Sequence, residues 1–259
     1  MKKWVKALLF VFVVFSSLIL YSRFISTKGL TVREYAIIDD KLPSNFNGLK
    51  IVHFSDIHYG RTTNLETIKS VVKEINILNP DIVIYTGDLY EKNIDIPDKE
   101  KEKIVTELKN IDFTIGKYAI KGDSDKKVYE NIMIDAEFEL IDNASKLIYY
   151  NGNTPIKLTN NYENVEEYFT IGMIHKPDEI DNMNLENINV VLAGHSLNGQ
   201  IRIPFYGALI KRTGSKKYTD SYYEVNNTKF YISNGLGTEN FSFRFNNRPS
   251  INFYRLTNY

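Results

Sequence analysis

Five short apolar runs set the terms on which this chain can fold. LKIVHF (Leu49–Phe54), DIVIY (Asp81–Tyr85), KYAI (Lys117–Ile120), FTIGMI (Phe169–Ile174) and NVVL (Asn189–Leu192) are each followed within three residues by an aspartate or a histidine. Runs this short, rich in β-branched and aromatic side chains, read as buried strands rather than helices. Between them lie amphipathic stretches. Thr63–Leu78 carries Leu65, Ile68, Val72 and Ile75 on one stripe and is stopped by Pro80, and Asp98–Ile111 is a charged helix with Ile104, Val105 and Leu108 facing inward. Strands alternating with helices predict an α/β sheet protein. Further strands at Phe230–Ile232 and Ile251–Tyr254, with few helices nearby, predict mixed or antiparallel pairing in the second half. The turn PSNFNG (Pro43–Gly48) precedes the first strong strand and marks no domain boundary.

The polar residues behind the runs are Asp56 and His58, Asp88, Asp123, His175 and His195. In open α/β sheets ligands bind at the carboxyl ends of the strands, because the following loops converge there. Gly87, Gly122 and Gly194 stand directly before Asp88, Asp123 and His195, where a residue without Cβ lets the backbone turn inward. Each element alone has an ordinary reading: a Gly-Asp turn, a helix cap, a loop histidine. Their repetition at five strand ends points to a metal centre. The chain has no cysteine, so any ion is held by His, Asp, Asn or Glu, and disulfides and thiol nucleophiles are excluded. The remaining histidine, His53, lies inside a strand and reads as a core residue.

Lys2, Lys3 and Lys6 precede an apolar run from Ala7 to Tyr21 that only Ser16 and Ser17 interrupt. A bilayer span needs roughly 20 residues, and Trp4, Val5 and a snorkelling Lys6 extend the run toward that length. A cleaved signal segment is the competing reading. The stretch LILYSRFI (Leu18–Ile25) offers no small-residue pair spaced for a peptidase, which favours an uncleaved anchor over residues 1–29, followed by one globular unit over residues 30–259. The basic N-terminus is expected inside, with the large unit exported and attached to the cell membrane by a single pass. Lys and Arg together number 32, as do Asp and Glu, so no net charge draws the chain to nucleic acid.

The ordered motifs D-x-H (Asp56–His58), G-D (Gly87–Asp88), G-D-S-D (Gly122–Asp125), His175 and G-H-S-L-N-G-Q (Gly194–Gln200) resemble the calcineurin-like metallophosphoesterases. The bacterial membrane-associated branch, with YkuE-like and YaeI-like members, is the most similar, and the closing stretch Tyr231–Tyr254 shares in the resemblance. It implies a four-layer α-β-β-α sandwich with two mixed sheets and the metal site at the strands' carboxyl ends. It also implies a phosphoester hydrolase using one or two divalent ions (Mn, Zn, Fe or Mg), which activate a hydroxide for attack on phosphorus. Asp88 would bridge two ions, with Asp56 and His58 on the first and Asp123, His175 and His195 on the second. Three positions depart from the pattern. Asp123 replaces an asparagine ligand; Ser124 replaces a histidine that assists the leaving group; and Leu197 replaces a second histidine ligand, leaving the first site one donor short, with Asn198 a weak substitute. No catalytic side chain is therefore assigned. Two functions follow: a hydrolase with a weakened first site, or a non-catalytic descendant that binds a phosphorylated ligand through one metal at the membrane. The membrane anchor makes lipid- or cell-wall-linked phosphoesters the expected partners, and Phe205-Tyr206 with the Tyr218–Tyr223 region are candidates to line an amphiphilic pocket.

Overall fold

The computed structural model describes residues 2–92, 94–163 and 167–258. Helix α1 (Lys3–Leu20) runs on through a π-helical turn, Tyr21–Ile25, and none of the side chains of α1 is buried. Among the described residues it is the one helix long and apolar enough to cross a membrane. Strand β1 (Thr31–Ile38) follows, then β2 (Lys50–Phe54), α2 (Leu65–Leu78), β3 (Ile82–Tyr85), α3 (Asp98–Lys109), β4 (Gly116–Ala119), α4 (Val128–Asp135) and β5 (Glu139–Leu140). The second half contributes β6 (Ser145–Ile148), β7 (Ile156–Thr159), β8 (Phe169–Ile174), β9 (Val190–Ala193), β10 (Arg202–Ile203), β11 (Gly207–Ala208), β12 (Tyr222–Val225), β13 (Thr228–Ile232) and β14 (Ser250–Thr257).

These strands form two mixed six-stranded sheets, ordered β1-β14-β2-β3-β4-β5 and β12-β13-β9-β8-β7-β6, plus the small hairpin β10-β11. In the first, β14 runs antiparallel to β2, and the other pairs are parallel. In the second, the antiparallel pairs are the two outermost ones.

Alternation along the strands sorts the core into layers. Val52, Phe54, Val83 and Tyr85 face the helices, where Ile68, Val72 and Ile75 of α2, Ile104 and Leu108 of α3 and Ile132 of α4 cover them. Ile51, Ile82 and Ile84 face the other way, into a cluster with Leu158, Ile171, Met173, Val190 and Leu192 of the second sheet. The outer face of that sheet, with Val191, Phe230 and Ile232, is closed by Ile180 on a short 3-10 helix, Pro177–Asn182, and by Tyr218. The two mixed sheets are thus stacked face to face with α-helices on the first, and the outer layer on the second is a short 3-10 helix in place of an α-helix. The helix expected from Thr63 begins at Leu65, because Asn64 caps it and the Thr63 hydroxyl is drawn back to the carbonyls of Ile57 and His58. Buried His53 sits 2.9 Å from the Thr86 hydroxyl, and burial drives its pKa down to about 3, so it stays neutral.

Candidate metal centre

The carboxyl edges of the two sheets meet at one seam. Asp56 and His58 follow β2, Asp88 follows β3, His175 follows β8 and His195 follows β9. All five are buried. Ligand atoms of Asp56, His58 and Asp88 lie within 4.8 Å of one another, as do those of Asp88, His175 and His195, so Asp88 belongs to both groups. Its Oδ2 is 3.2 Å from His175 Nε2 and 3.7 Å from His58 Nε2. The seam is also stitched across the sheets: the backbone N–H of His195 donates to the Asp56 carboxylate at 3.0 Å, and His175 Nδ1 donates to the Thr86 carbonyl at 2.7 Å.

Each imidazole is oriented by its outer nitrogen. A carbonyl can only accept, so His175 must carry its proton on Nδ1 and His195, 2.8 Å from the Thr213 carbonyl, on Nε2. In their neutral forms the rings aim lone pairs from His175 Nε2 and His195 Nδ1 into the cluster; His195 Nδ1 has no hydrogen-bond partner, and His175 Nε2 faces the Asp88 carboxylate alone. His58 Nε2 is likewise unpartnered, 3.8 Å from Asp56 and 3.7 Å from Asp88. Buried, unpaired nitrogens converging on carboxylates are what a divalent cation needs, and N and O donors admit Mn, Zn, Fe or Mg. The electrostatics agree. Burial opposes a charged His175, yet the Asp88 carboxylate outweighs it and lifts the ring to about 10. Burial likewise opposes ionised Asp88, and the facing His175 and His58 nevertheless hold it far below the usual carboxylate range. His58 is raised against burial by Glu91, Asp88 and Asp56, whereas His195 is lowered, by burial first and then by His175. The pocket is short of positive charge.

Four of the five residues adopt left-handed backbone: Asp56 (φ 52°), His58 (46°), Asp88 (63°) and His195 (62°). Each such non-glycine conformation costs on the order of 1–3 kcal/mol and persists where function imposes it. The inward turns are thus made largely by the ligand-type residues themselves. Of the three preceding glycines, Gly87 alone has positive φ (92°). The others permit close approach: a Cβ on Gly122 would lie 2.3 Å from Asp88 Oδ1, and one on Gly194 would lie 2.9 Å from the Ser55 Cβ.

Asp123 is not brought into either group. Its carboxylate is half exposed and ion-paired with Lys176 at 2.8 Å. Ser124 meets the site through its backbone, whose N–H donates to Asp88 Oδ1 at 2.7 Å. Leu197 is fully buried with φ 47°, and its Cδ2 and the Asp56 Cβ crowd the same side of Gly235. The side-chain oxygen of Asn198 is taken by Arg202 at 2.6 Å. Phe205 and Tyr206 share a surface cleft with Asp220 of the Tyr218–Tyr223 region, while Tyr218 is turned away from it, buried edge-on against Phe230 and Tyr223.

Two acids escaped the sequence reading. Asp125 stood within the quoted G-D-S-D motif but received no role. It accepts the N–H groups of Asp88, Leu89 and Gly122, each at 2.8 Å, which locks two loops together. Glu91 had no sequence signal at all. It is buried, 3.4 Å from His58 Nδ1, and clamped by Arg61 at 2.7 Å. A carboxylate behind a ligand histidine fixes the ring and raises its basicity. Glu91→Gln is therefore expected to weaken metal affinity roughly 10–100-fold, read by calorimetric titration with Mn or Zn, while leaving the melting temperature of the metal-free chain nearly unchanged. Unaltered affinity would remove Glu91 from the site.

Known proteins similar to this chain bear on its family. Residues 49–203 match the family model described as "Calcineurin-like phosphoesterase". The chain is 29% identical over 257 residues to the "Uncharacterized metallophosphoesterase YkuE" of Bacillus subtilis (strain 168), covering 91% of this chain and 88% of the relative. It is 26% identical to the "Uncharacterized metallophosphoesterase YkoQ" of the same strain, covering 92% and 94%. A 102-residue stretch, 39% of this chain, is 31% identical to 22% of the "Transmembrane protein with metallophosphoesterase domain" of Danio rerio. Among solved structures, TT1561 of Thermus thermophilus superposes with TM-score 0.47 and 11% identity, covering 73% of this chain and 91% of that one.

Proposed function

The chain belongs to the calcineurin-like phosphoesterase family, and from that premise we propose that it is a metal-dependent phosphoester hydrolase attached to a membrane by α1. One observation supports this reading above the others: Asp88 is shared by two triads whose buried imidazole nitrogens converge on its carboxylate. Asp56, His58 and Asp88 would hold one divalent ion, and Asp88, His175 and His195 would hold the second, with Asp123 the candidate to join them on leaving Lys176. Bound there, such ions lower the pKa of water and offset charge on the phosphoryl oxygens. The rest belongs to the chain. Backbone N–H groups of Ser124 and His195 fix the two aspartates, and Asp125 fixes the loop that delivers Asp88. Lys176 and Arg212 bring positive charge to the margin of the site, where an anionic ester would sit. At position 124 there is a hydroxyl and no imidazole, so proton delivery to the leaving group is poor and esters with good leaving groups are favoured. The lysines ahead of α1 favour an inside N-terminus and an exported domain at the cell membrane.

Purified full-length chain, assayed with p-nitrophenyl and bis-p-nitrophenyl phosphate in Mn, Zn, Co and Mg, tests the proposal, with bound metal counted by mass spectrometry. Turnover with bound metal supports it; no turnover in any metal overturns it. The buried leucine beside Asp56 favours a second reading, a one-metal binder of phosphorylated ligands without catalysis. A single tight ion and no turnover would select that reading. On the hydrolase reading, the double variant Ser124→His/Leu197→His gains about tenfold or more in kcat, by restoring the two missing imidazoles. A variant that acquires a second ion and stays silent would mean the pocket no longer accepts phosphate.

A further inference from the structure

The hairpin β10-β11 is built against the usual rules of a soluble surface. Its tip is a turn closed by Tyr206 N–H donating to the Ile203 carbonyl at 3.1 Å, with Pro204 and Phe205 at its two central positions. Phe205 has φ 66°, the value that such a turn reserves for glycine or asparagine. Its ring is fully exposed, and Tyr206 is 73% exposed. Leu209, just past the hairpin, and Phe241, on a neighbouring loop, are both more than half exposed, and Ile203 is 42% exposed. Exposed apolar side chains along one hairpin, with a strained aromatic at its tip, serve neither the core nor solubility.

What covers this hairpin is indicated by its neighbour. Ile201, at the foot of the hairpin, bridges Phe245, and the Phe245 ring packs edge-on against Tyr21 at the end of the apolar helix, with centroids 6.4 Å apart. The backbone N–H of Arg244 donates to the Ser22 carbonyl at 3.0 Å. Phe15, Leu18 and Ile19 of α1 share one apolar cleft with Ile201, Phe243 and Phe245. The hairpin is thus continuous with the helix end that leaves the bilayer. The metal centre is three hydrogen bonds away from Phe241: Gln200 donates to the Phe241 carbonyl at 2.6 Å and accepts from Arg212 at 2.7 Å, and Arg212 reaches the His195 carbonyl.

We infer that the β10-β11 hairpin, with Leu209 and Phe241, dips into the lipid surface from which α1 emerges and holds the metal cleft against that surface. The substrate class that follows is a phosphoester carried on a membrane lipid, presented by the bilayer itself rather than drawn from solution. Aromatic rings and a proline at the head-group level suit this depth. The substrate half of this inference rests on the hydrolase reading; the insertion half does not.

The absence of cysteine makes the insertion directly measurable. Full-length chain carrying Phe205→Cys, labelled with the fluorophore NBD, is reconstituted into phosphatidylcholine vesicles. Ile134→Cys, an exposed apolar position on α4, is the control. The expected result is blue-shifted emission at position 205, quenched by doxyl-labelled lipid, with neither effect at 134. A probe at 205 that stays water-like overturns the inference. So does one shielded without lipid quenching and released by diluting the protein in excess lipid, which would mark a second copy as the occupant. For substrate presentation, Phe205→Asn/Tyr206→Ser/Leu209→Ser relieves the turn while removing the apolar edge. Its kcat/KM on bis-p-nitrophenyl phosphate is expected to be unchanged, while that on a fluorogenic phosphodiester lipid in vesicles falls ~10-fold, because α1 still anchors the chain but the cleft is no longer held against the lipid. An equal loss on both esters overturns the substrate assignment. Inactivity of the unaltered chain on both would sink the hydrolase reading instead, and the NBD measurement would still decide insertion.

Discussion

Asp88→Asn is expected to lower phosphoester kcat/KM by about 10³-fold or more, because metal charge stabilisation in such sites amounts to several kcal/mol and each 1.36 kcal/mol is tenfold. The substitution is nearly isosteric, so the lost quantity is charge and donor direction rather than volume. Oδ1 already accepts the Ser124 N–H at 2.7 Å, and asparagine keeps that bond with its carbonyl oxygen. The amide nitrogen must then take the place of Oδ2, turned toward the rings of His175 and His58, where no cation can use it. Both triads lose their common member at once. Turnover with bis-p-nitrophenyl phosphate and metal content by mass spectrometry are the measurements, with a circular dichroism melt to show that the chain folds. Full metal content with undiminished turnover would show that the two triads do not act through Asp88.

The second large effect concerns stability. Asp125→Ala is expected to cost about 3–5 kcal/mol, the cost of stripping a buried charged partner from the groups it satisfies. Three backbone N–H groups, from Asp88, Leu89 and Gly122, lose their acceptor inside a site with little water to replace it. Burial, and then the neighbouring Asp88, raise the Asp125 carboxyl to about 6. The environment is costly for the charge, and the three donors are what offset it. For a unit of this size the loss translates to a melting temperature lower by roughly 10 °C. Metal affinity should fall with it, since the loops presenting Asp88 and Ser124 lose their common tether. A variant melting within about 2 °C of the parent would mean that water or another group satisfies those N–H groups.

The sequence made the strands and their order legible, because each run is short, apolar and flanked by turn residues, and because polar residues recur at the same end. FTIGMI coincides with β8, and the other four runs shift by one residue, as NVVL does in becoming Val190–Ala193. The spatial meeting of Asp56, His58, Asp88, His175 and His195 follows from that topology. What sequence does not display is how a side chain is spent once it arrives. Lys176 directly follows a ligand-type histidine, yet its pairing with Asp123 depends on loops that converge only in three dimensions. Glu91 and Arg61 approach His58 through the bridge between Tyr59 and Tyr90, and no periodicity encodes it. The thin fourth layer was hidden for a similar reason: Ile180 and Tyr218 are single apolar residues in polar surroundings and carry no helical stripe.

The placement of β14 bears on when this molecule can come together. It lies between β1 and β2, with eight positions aligned along β1, from Thr31 beside Ser250 to Ile38 beside Thr257. Among the described residues, the strand just behind the apolar helix α1 thus has no strand partner until a segment more than two hundred residues later has been made. A nascent chain would stay unlocked, its leading strand and the flank of β2 both open, until its tail had been made. Such late closure keeps the polypeptide extendable during synthesis and leaves those bare edges for chaperones to shield.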